Sequence, residues 1–398
     1  MTNRKHRPFG MLEISLYYTL IYSAASIYTY MPKYLQQGAQ LTVEQNGIIQ
    51  SIGPLVAIVT PFIWGQIADR AKSRNTVWAV ILCGAAFTVM LVPISKHFVY
   101  IACVLACVSL FQTSFTPIAD SVCSELCSKN KWDFGRTRKM ASLGYAACTF
   151  LAGALLRIDR ADIFFAYSIF ILIALIPLLR LPKVPGHQSQ RARVPIRKLF
   201  TNKPLITLFC FTFCVFLTTS YYYSFFLLYF TSPGVGGTTA LFGICNALAS
   251  IAEFPTMIYI DRVIRKVGFT RVFLVALIVL AVRWFLLGSV PDPVWLIILN
   301  MLHGVSFACI SYCAIVYINE YVQAEFKATG QAVNGIICFG VTKVIGSAGG
   351  GYLTGRFGFS FVFKTMGIFI AVVAVAYALM IPKIKMWTDA AREAAAQA

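Results

Sequence analysis

The stretch GQIADRAKSR, residues 65–74, decides how the rest of the chain is read. It sets Asp69, Arg70, Lys72 and Arg74 close together in a chain where only 12% of residues are charged. Apolar runs flank it near residues 46–68 and 76–95. Each is about the 20 residues that a helix needs to cross the hydrocarbon layer. The stretch therefore reads as a short charged turn between two membrane spans. A second turn of this kind, YIDRVIRKVG at 259–268, follows the apolar run near 238–260. Its Asp261–Arg262 pair lies 192 residues after Asp69–Arg70, close to half of the 398-residue chain. A repeat at that distance predicts two similar halves.

Working outward, apolar runs fall near 10–32, 46–68, 76–95, 98–126, 139–157, 162–181, 204–230, 238–260, 270–290, 293–319, 329–353 and 361–382, twelve in all. The chain is 58% hydrophobic with a mean hydropathy of +0.73. A soluble chain carries about 25% charged residues, twice the fraction here. The expected fold is an all-α membrane protein of twelve transmembrane helices in two pseudo-symmetric six-helix bundles. The segment RLPKVPGHQSQRARVPIRKLFTNKP, residues 180–204, has four prolines, seven Lys or Arg and no acid. It marks a linker at 182–203 between bundles at 1–181 and 204–385, with a tail at 386–398. Two repeated halves with a solute site at mid-membrane follow a common transporter plan.

The net charge of +19 is a topology signal. With the N-terminus inside, 26 of the 34 Lys and Arg lie on the cytoplasmic side and about 6 on the other. This positive-inside bias places both termini and the linker in the cytoplasm. It explains the basic excess without nucleic acid as a partner. MTNRKHRPFG, residues 1–10, precedes a run too long for a cleavable signal and without a small-residue cleavage site, so the first helix is expected to stay. Most of the twelve cysteines lie in spans, where they behave as small apolar residues. Cys123 and Cys127 share a helical face but have no His or second Cys pair nearby, so no metal is expected. There is no GxxxxGK[ST], HExxH or GxSxG pattern. Direct use of ATP, an enzyme and an organic cofactor are therefore not expected. One chain supplies a complete unit, and a monomer is the expectation.

Ionisable residues inside spans point to function, because lipid penalises them. Here they are Asp120, Glu253, Arg283, His303 and Lys343. Their signs predict pairs, Asp120 with Arg138 and Glu253 with Arg283 or Lys343. Static pairs that only hold helices together are the plain alternative. Tyrosines in the first and seventh spans, Tyr18, Tyr22 and Tyr222 among them, could supply ring faces to a solute, and Asn246, Asn300, Asn334 and Gln112 could supply amides. Lipid-interface anchoring and helix–helix hydrogen bonds are their ordinary uses.

GQIADRAKSR resembles the signature loop of the major facilitator superfamily, at Gly65, Asp69, Arg70 and Arg74. The resemblance implies that these residues, with Asp261 and Arg262 in the repeat, gate the cytoplasmic side. Gly65 is expected to let two helices approach closely. A closer resemblance runs through IAEFP at 251–255, VRWFLLG at 282–288 and LHGVSF at 302–307. Glu253, Arg283 and His303 resemble the proton-coupling constellation of the lactose permease and phenylpropionate permease-like group. DFGRTRKMASLGYA, residues 133–146, resembles the segment leading into that group's fifth span and carries over Arg138 and Tyr145. Asp120 matches an acid of the fourth span, and Lys343 a lysine of the eleventh. These residues are then expected to bind solute.

Two departures matter. The permease has a second carboxylate one turn after its His, where this chain has Ser306. Its eleventh-span lysine has an acid partner in the seventh span, but TTSYYYSFFLLYF, residues 218–230, has none. Glu253 is thus the expected proton carrier, and Lys343 is left to bind an anionic solute or to pair with Glu253. The resemblance implies a proton-coupled symporter in a bacterial inner membrane, importing a sugar, a glycoside or an organic anion by alternating access. A uniporter or a proton-driven efflux antiporter of the same fold are the alternatives.

Overall fold

A computed structural model of the chain describes residues 9–186, 203–321 and 324–396. All regular elements among the described residues are helices. Ten of these are long and apolar enough to cross a membrane. We label the principal helices α1 (Phe9–Tyr28), α2 (Val43–Arg70), α3 (Arg74–Ile94), α4 (Phe98–Asn130), α5 (Phe134–Leu155) and α6 (Asp162–Arg180). There follow α7 (Leu205–Phe230), α8 (Thr239–Val267), α9 (Phe269–Ser289), α10 (Pro293–Asn319), α11 (Thr329–Phe357) and α12 (Phe359–Trp387). α1 and α5 are helical but are not among the ten. A short helix, Met31–Gln37, precedes α2.

Lipid offers no hydrogen bonds, so each backbone group must be satisfied within the chain, and long apolar runs close into helices. The starts are capped by side chains. Thr42 and Gln45 form a capping box at α2. Thr238 accepts from Leu241 N at α8, and Asp292 accepts from Val294 N and Trp295 N at α10. Prolines set the interruptions. α2 turns at Ile58–Val59 ahead of Pro61, and α4 turns at Thr113–Ser114 ahead of Pro117. Each proline lacks an N–H, so the carbonyl four residues back has no helical donor. Two further irregularities are π-turns, at Gly304–Ala308 in α10 and Ile336–Val341 in α11.

The chain divides into two compact units between Gln190 and Arg191. In the first, α1 packs on α5 and α6, α2 on α4, and α3 on α4 and α6. In the second, α7 packs on α11 and α12, α8 on α10, and α9 on α10 and α12. Within each unit, then, the first helix meets the fifth, the second the fourth and the third the sixth. The outer faces are apolar. Leu155, Leu179 and Leu379 are about three-quarters exposed, which suits lipid as solvent.

Two boundaries differ from expectation. The first residues of the expected linker belong to the first unit. Val184 O accepts from Arg74 N (2.8 Å), Val184 N donates to Asn75 Oδ1 (3.0 Å), Asn75 Nδ2 donates to Pro182 O (3.2 Å) and Gly186 N donates to Ala71 O (3.2 Å). The turn at 71–75 and the strand-like segment after α6 thus satisfy one another's backbone groups. The remainder of the linker lies outside the described residues. At the other end, the helix that contains α12 continues to Ala396, because the alanine-rich tail favours helix.

Candidate functional site

In the second unit, α8, α9 and α10 bring Glu253, Arg283 and His303 together. Glu253 Oε1 lies 3.5 Å from His303 Nε2. Arg283 Nη1 lies 3.0 Å from His303 Nδ1. A guanidinium can only donate, so Nδ1 accepts and the imidazole proton sits on Nε2. His303 is thereby held neutral, with its N–H turned to Glu253 Oε1 and to Tyr223 Oη, 3.0 Å away. The expected direct pairing of Glu253 with Arg283 or Lys343 is not what is seen. Among the described residues neither cation is within salt-bridge range of Glu253, and His303 stands between Glu253 and Arg283. The reason lies in α10, whose π-turn begins immediately after His303. Gly304 lets that turn press on α8, since a Cβ there would sit 2.4 Å from Ala252 O and 3.0 Å from Glu253 Cα.

Arg283 is wholly buried. Its Nη2 donates to Asn300 Oδ1 (2.5 Å), and its guanidinium lies 4.7 Å and 4.6 Å from the Tyr222 and Trp284 ring centroids. Tyr222 also donates to Asn300 Oδ1 (2.6 Å), and Asn300 Nδ2 donates to Cys245 Sγ (3.1 Å). Among the described residues no carboxylate is in salt-bridge range of Arg283, so ring faces and neutral acceptors hold its charge. Sequence reading names Tyr222, and names Asn300 only as one of four span amides that could face a cavity or bond helix to helix. The signal that sets Asn300 apart from the other three is its i, i+3 spacing to His303, which places both on one face of α10.

Lys343 stands on α11 just past the second π-turn. Its Nζ donates to Ser224 Oγ (2.9 Å) and Ser220 O (3.3 Å) and lies 5.7 Å from the Tyr223 ring centroid. Tyr223 therefore lies between Lys343 and His303. Asn246 is half-buried on α8, and no hydrogen bond joins it to this network among the described residues.

In the first unit, Tyr18 donates to Asp120 Oδ1 (2.5 Å), and Tyr145 Oη is 3.2 Å from Thr29 Oγ1. Tyr22 lines a cavity of about 290 Å³ with Gln112, Thr116 and Tyr167. The side chain of Arg138 lies outside the described residues, and so does its expected pairing with Asp120. At the signature loop, Asp69 Oδ1 is 3.7 Å from Arg74 Nη2, and Arg74 Nη1 reaches Glu125 Oε2 at 3.3 Å and Ser121 Oγ at 3.2 Å. Arg70 points outward. Gly65 departs from expectation, because a Cβ there would meet nothing within 4 Å among the described residues. In the repeat, Tyr312 of α10 donates a short hydrogen bond to Asp261, and Arg262 lies over the Tyr259 ring at 5.8 Å. Sequence reading includes Tyr18 among the first-span tyrosines but misses Glu125 and Tyr312, each an ordinary residue of its helix until the fold supplies the partner.

A helical membrane protein with a buried polar network of this kind belongs with the solute transporters. The chain is a member of the MFS_1 like family, whose model matches residues 11–365. It is a major facilitator superfamily transporter of the lactose permease-like group, a multi-pass integral membrane protein and not an enzyme. It is 27% identical over 376 residues to the maltose permease of Geobacillus stearothermophilus, covering 92% of this chain and 93% of that one. It is 23% identical over 355 residues to the lactose permease of Klebsiella oxytoca, covering 81% and 82%. A solved mutant of the nucleoside transporter NupG shares the fold at a TM-score of 0.85 and 16% identity, covering 94% of this chain and all of that one.

Proposed function

We propose that this transporter is a proton-coupled symporter that imports a small organic solute by alternating access. Its twelve helices form two six-helix bundles, with both termini and the linker in the cytoplasm of a bacterial inner membrane. The observation that carries the reading is the chain Glu253–His303–Arg283 across α8, α10 and α9. It supports a role for Glu253 as proton carrier, because Glu253 is the one acid facing this buried basic pair among the described residues. His303, neutral and hydrogen-bonded at both nitrogens, orients Glu253 and keeps Arg283 one residue away from it. When the arrangement changes and Arg283 turns from His303 to Glu253, an ion pair replaces the carboxyl proton, and the proton leaves. Lys343, Tyr222, Asn246, Asp120, Arg138, Tyr145 and Tyr22 receive the solute. Asp69 and Arg74, tied to Glu125, latch the cytoplasmic face with Gly65 and Arg70, and Asp261 and Arg262 do so in the repeat.

The matching helix pairings within the two units support the two-bundle reading. The maltose and lactose permeases support a solute carrier. The test is Glu253→Gln in proteoliposomes. It should abolish uphill accumulation driven by a proton gradient and leave downhill exchange. Accumulation against a gradient by that variant would sink the coupling scheme.

A further inference from the structure

We propose that the second unit carries a site for one anionic phospholipid, with an acyl chain in a groove between α7, α11 and α12 and the phosphate at Arg356. The groove encloses about 330 Å³. Its floor is the glycine-rich face of α11. A Cβ on Gly346 would sit 2.8 Å from Leu217 O, and one on Gly350 would sit 2.4 Å from the Tyr221 ring. These two glycines bring α11 against α7. Gly349 has a different setting. It lines the groove, and a Cβ there would meet nothing within 4 Å among the described residues. The space over Gly349 is room left by a missing side chain, walled by Leu353 of α11 and by Phe361 and Phe369 of α12.

The walls select the occupant. Three hydroxyls border the groove, and each is spent within the protein. Thr218 Oγ1 donates to Val215 O (2.8 Å), Tyr221 Oη is bonded to Thr354 Oγ1 (2.7 Å), and Thr365 Oγ1 donates to Phe361 O (2.9 Å). A trapped water needs about two to four polar partners, and these walls offer none to spare. Leu353, Phe361 and Phe369 are also exposed on their outer sides, where the surrounding medium is hydrocarbon. An alkyl chain is what fills such a space. Length and charge then fix which molecule brings it. Arg356 follows Gly349 by two turns on the same face of α11, and its guanidinium lies 4.8 Å from the Tyr352 ring centroid. Both residues are exposed, and α11 ends at Phe357 before Gly358 turns the chain into α12. Arg and Tyr at a helix end are interface anchors. From Ile345, at the deep end of the groove, to Arg356 the rise is about 16 Å. One leaflet contributes about half of the 30 Å hydrocarbon layer. A chain laid over Gly349 therefore runs from mid-bilayer to the interface and sets its phosphate level with Arg356. A guanidinium pairs with phosphate through two parallel N–H donors, and an anionic headgroup has no ammonium to compete for them.

The test is native mass spectrometry of the purified full chain in detergent, with dioleoyl phosphatidylglycerol or dioleoyl phosphatidylcholine added. The parent chain should keep one phosphatidylglycerol after other lipids are stripped. It should prefer that lipid about fivefold, the effect of one basic residue on an anionic surface. Gly349→Leu fills the groove from its floor, and should lose the retained lipid while melting no earlier than the parent chain in detergent alone. Arg356→Gln leaves the groove open, and should keep one lipid of either kind without preference. Undiminished retention in Gly349→Leu, equal retention of the two lipids by the parent chain, or an unchanged preference in Arg356→Gln would each overturn the proposal. Early unfolding of Gly349→Leu would also overturn it, because the groove would then not be open. So would a dimer that Gly349→Leu abolishes and added lipid leaves intact, since a second copy would then occupy the groove.

Discussion

Asn300 offers the sharpest quantitative handle on the network. It has no exposed surface, and its side chain is fully used. Oδ1 accepts from Arg283 Nη2 at 2.5 Å and from Tyr222 Oη at 2.6 Å, while Nδ2 donates to Cys245 Sγ at 3.1 Å. Asn300→Leu keeps the volume and removes all three bonds. Two buried donors, one of them on a guanidinium whose Nε already lacks a partner, are then unsatisfied. Each such group costs about 1–3 kcal/mol, and more when charged, so the sum is about 3–5 kcal/mol. At about 2–4 °C per kcal/mol the melting temperature should fall by roughly 10 °C. Asn300→Asp keeps both acceptor bonds and gives Arg283 a fixed counter-charge. It should melt close to the parent chain but lose uphill accumulation, because Arg283 is then tied to Asp and no longer free to meet Glu253. Thermal unfolding followed by tryptophan fluorescence, with solute uptake into proteoliposomes, reads both effects. If Asn300→Leu melts with the parent chain, the claim that this amide satisfies buried donors is wrong. If Asn300→Asp accumulates solute normally, movement of Arg283 is not part of coupling.

Three other outcomes follow from the same geometry. Gly304→Ala puts a methyl 2.4 Å from Ala252 O, so α10 must withdraw from α8; about 1–3 kcal/mol of destabilisation is expected, read by thermal unfolding. Gly65→Ala meets nothing within 4 Å among the described residues and should be neutral or stabilise its helix by up to about 1 kcal/mol, and a large loss would restore the close-approach reading of that glycine. Asn75→Ala removes both side-chain bonds to residues 182–184, so trypsin should cut faster after the exposed Lys183, with unchanged cleavage telling against the docked segment.

Helix existence was legible in the sequence because lipid leaves the chain few options. A run of about 20 apolar residues must close its own backbone bonds, and charge bias then orients it. The meeting of Glu253, Arg283 and His303 was legible as a set, through the rarity of ionisable residues in spans. Their order of contact was not. Sign alone suggested that Glu253 pairs with a cation, but the nearest group is the neutral His303, and only side-chain reach across three helices decides that. Gly65 shows the converse. A small residue in a span permits close packing, but its neighbours determine whether any packing occurs, and here the space beside it is open among the described residues.

The two π-turns explain why helical periodicity misleads just where the ionisable groups lie. A π-turn adds one residue to a turn, which rotates everything beyond it by about 100° relative to an ideal α-helix. In α10 the turn starts at Gly304, so the face carrying Asn300 and His303 does not continue in register towards Tyr312. In α11 it ends at Val341, so Lys343 occupies a face that a 3.6-residue count from Asn334 does not predict. A glycine in the first turn and one five residues past the second each bring a neighbouring helix close. Gly304 approaches Ala252 in α8, and Gly346 approaches Leu217 and Ser220 in α7. The irregular backbone and the glycines act together. One re-aims the ionisable side chain, and the other allows the partner helix near enough to receive it. Replacing Gly304 should therefore disturb the Glu253–His303 distance before it disturbs the helix itself. A variant that unfolds without first losing proton-driven uptake would contradict that order.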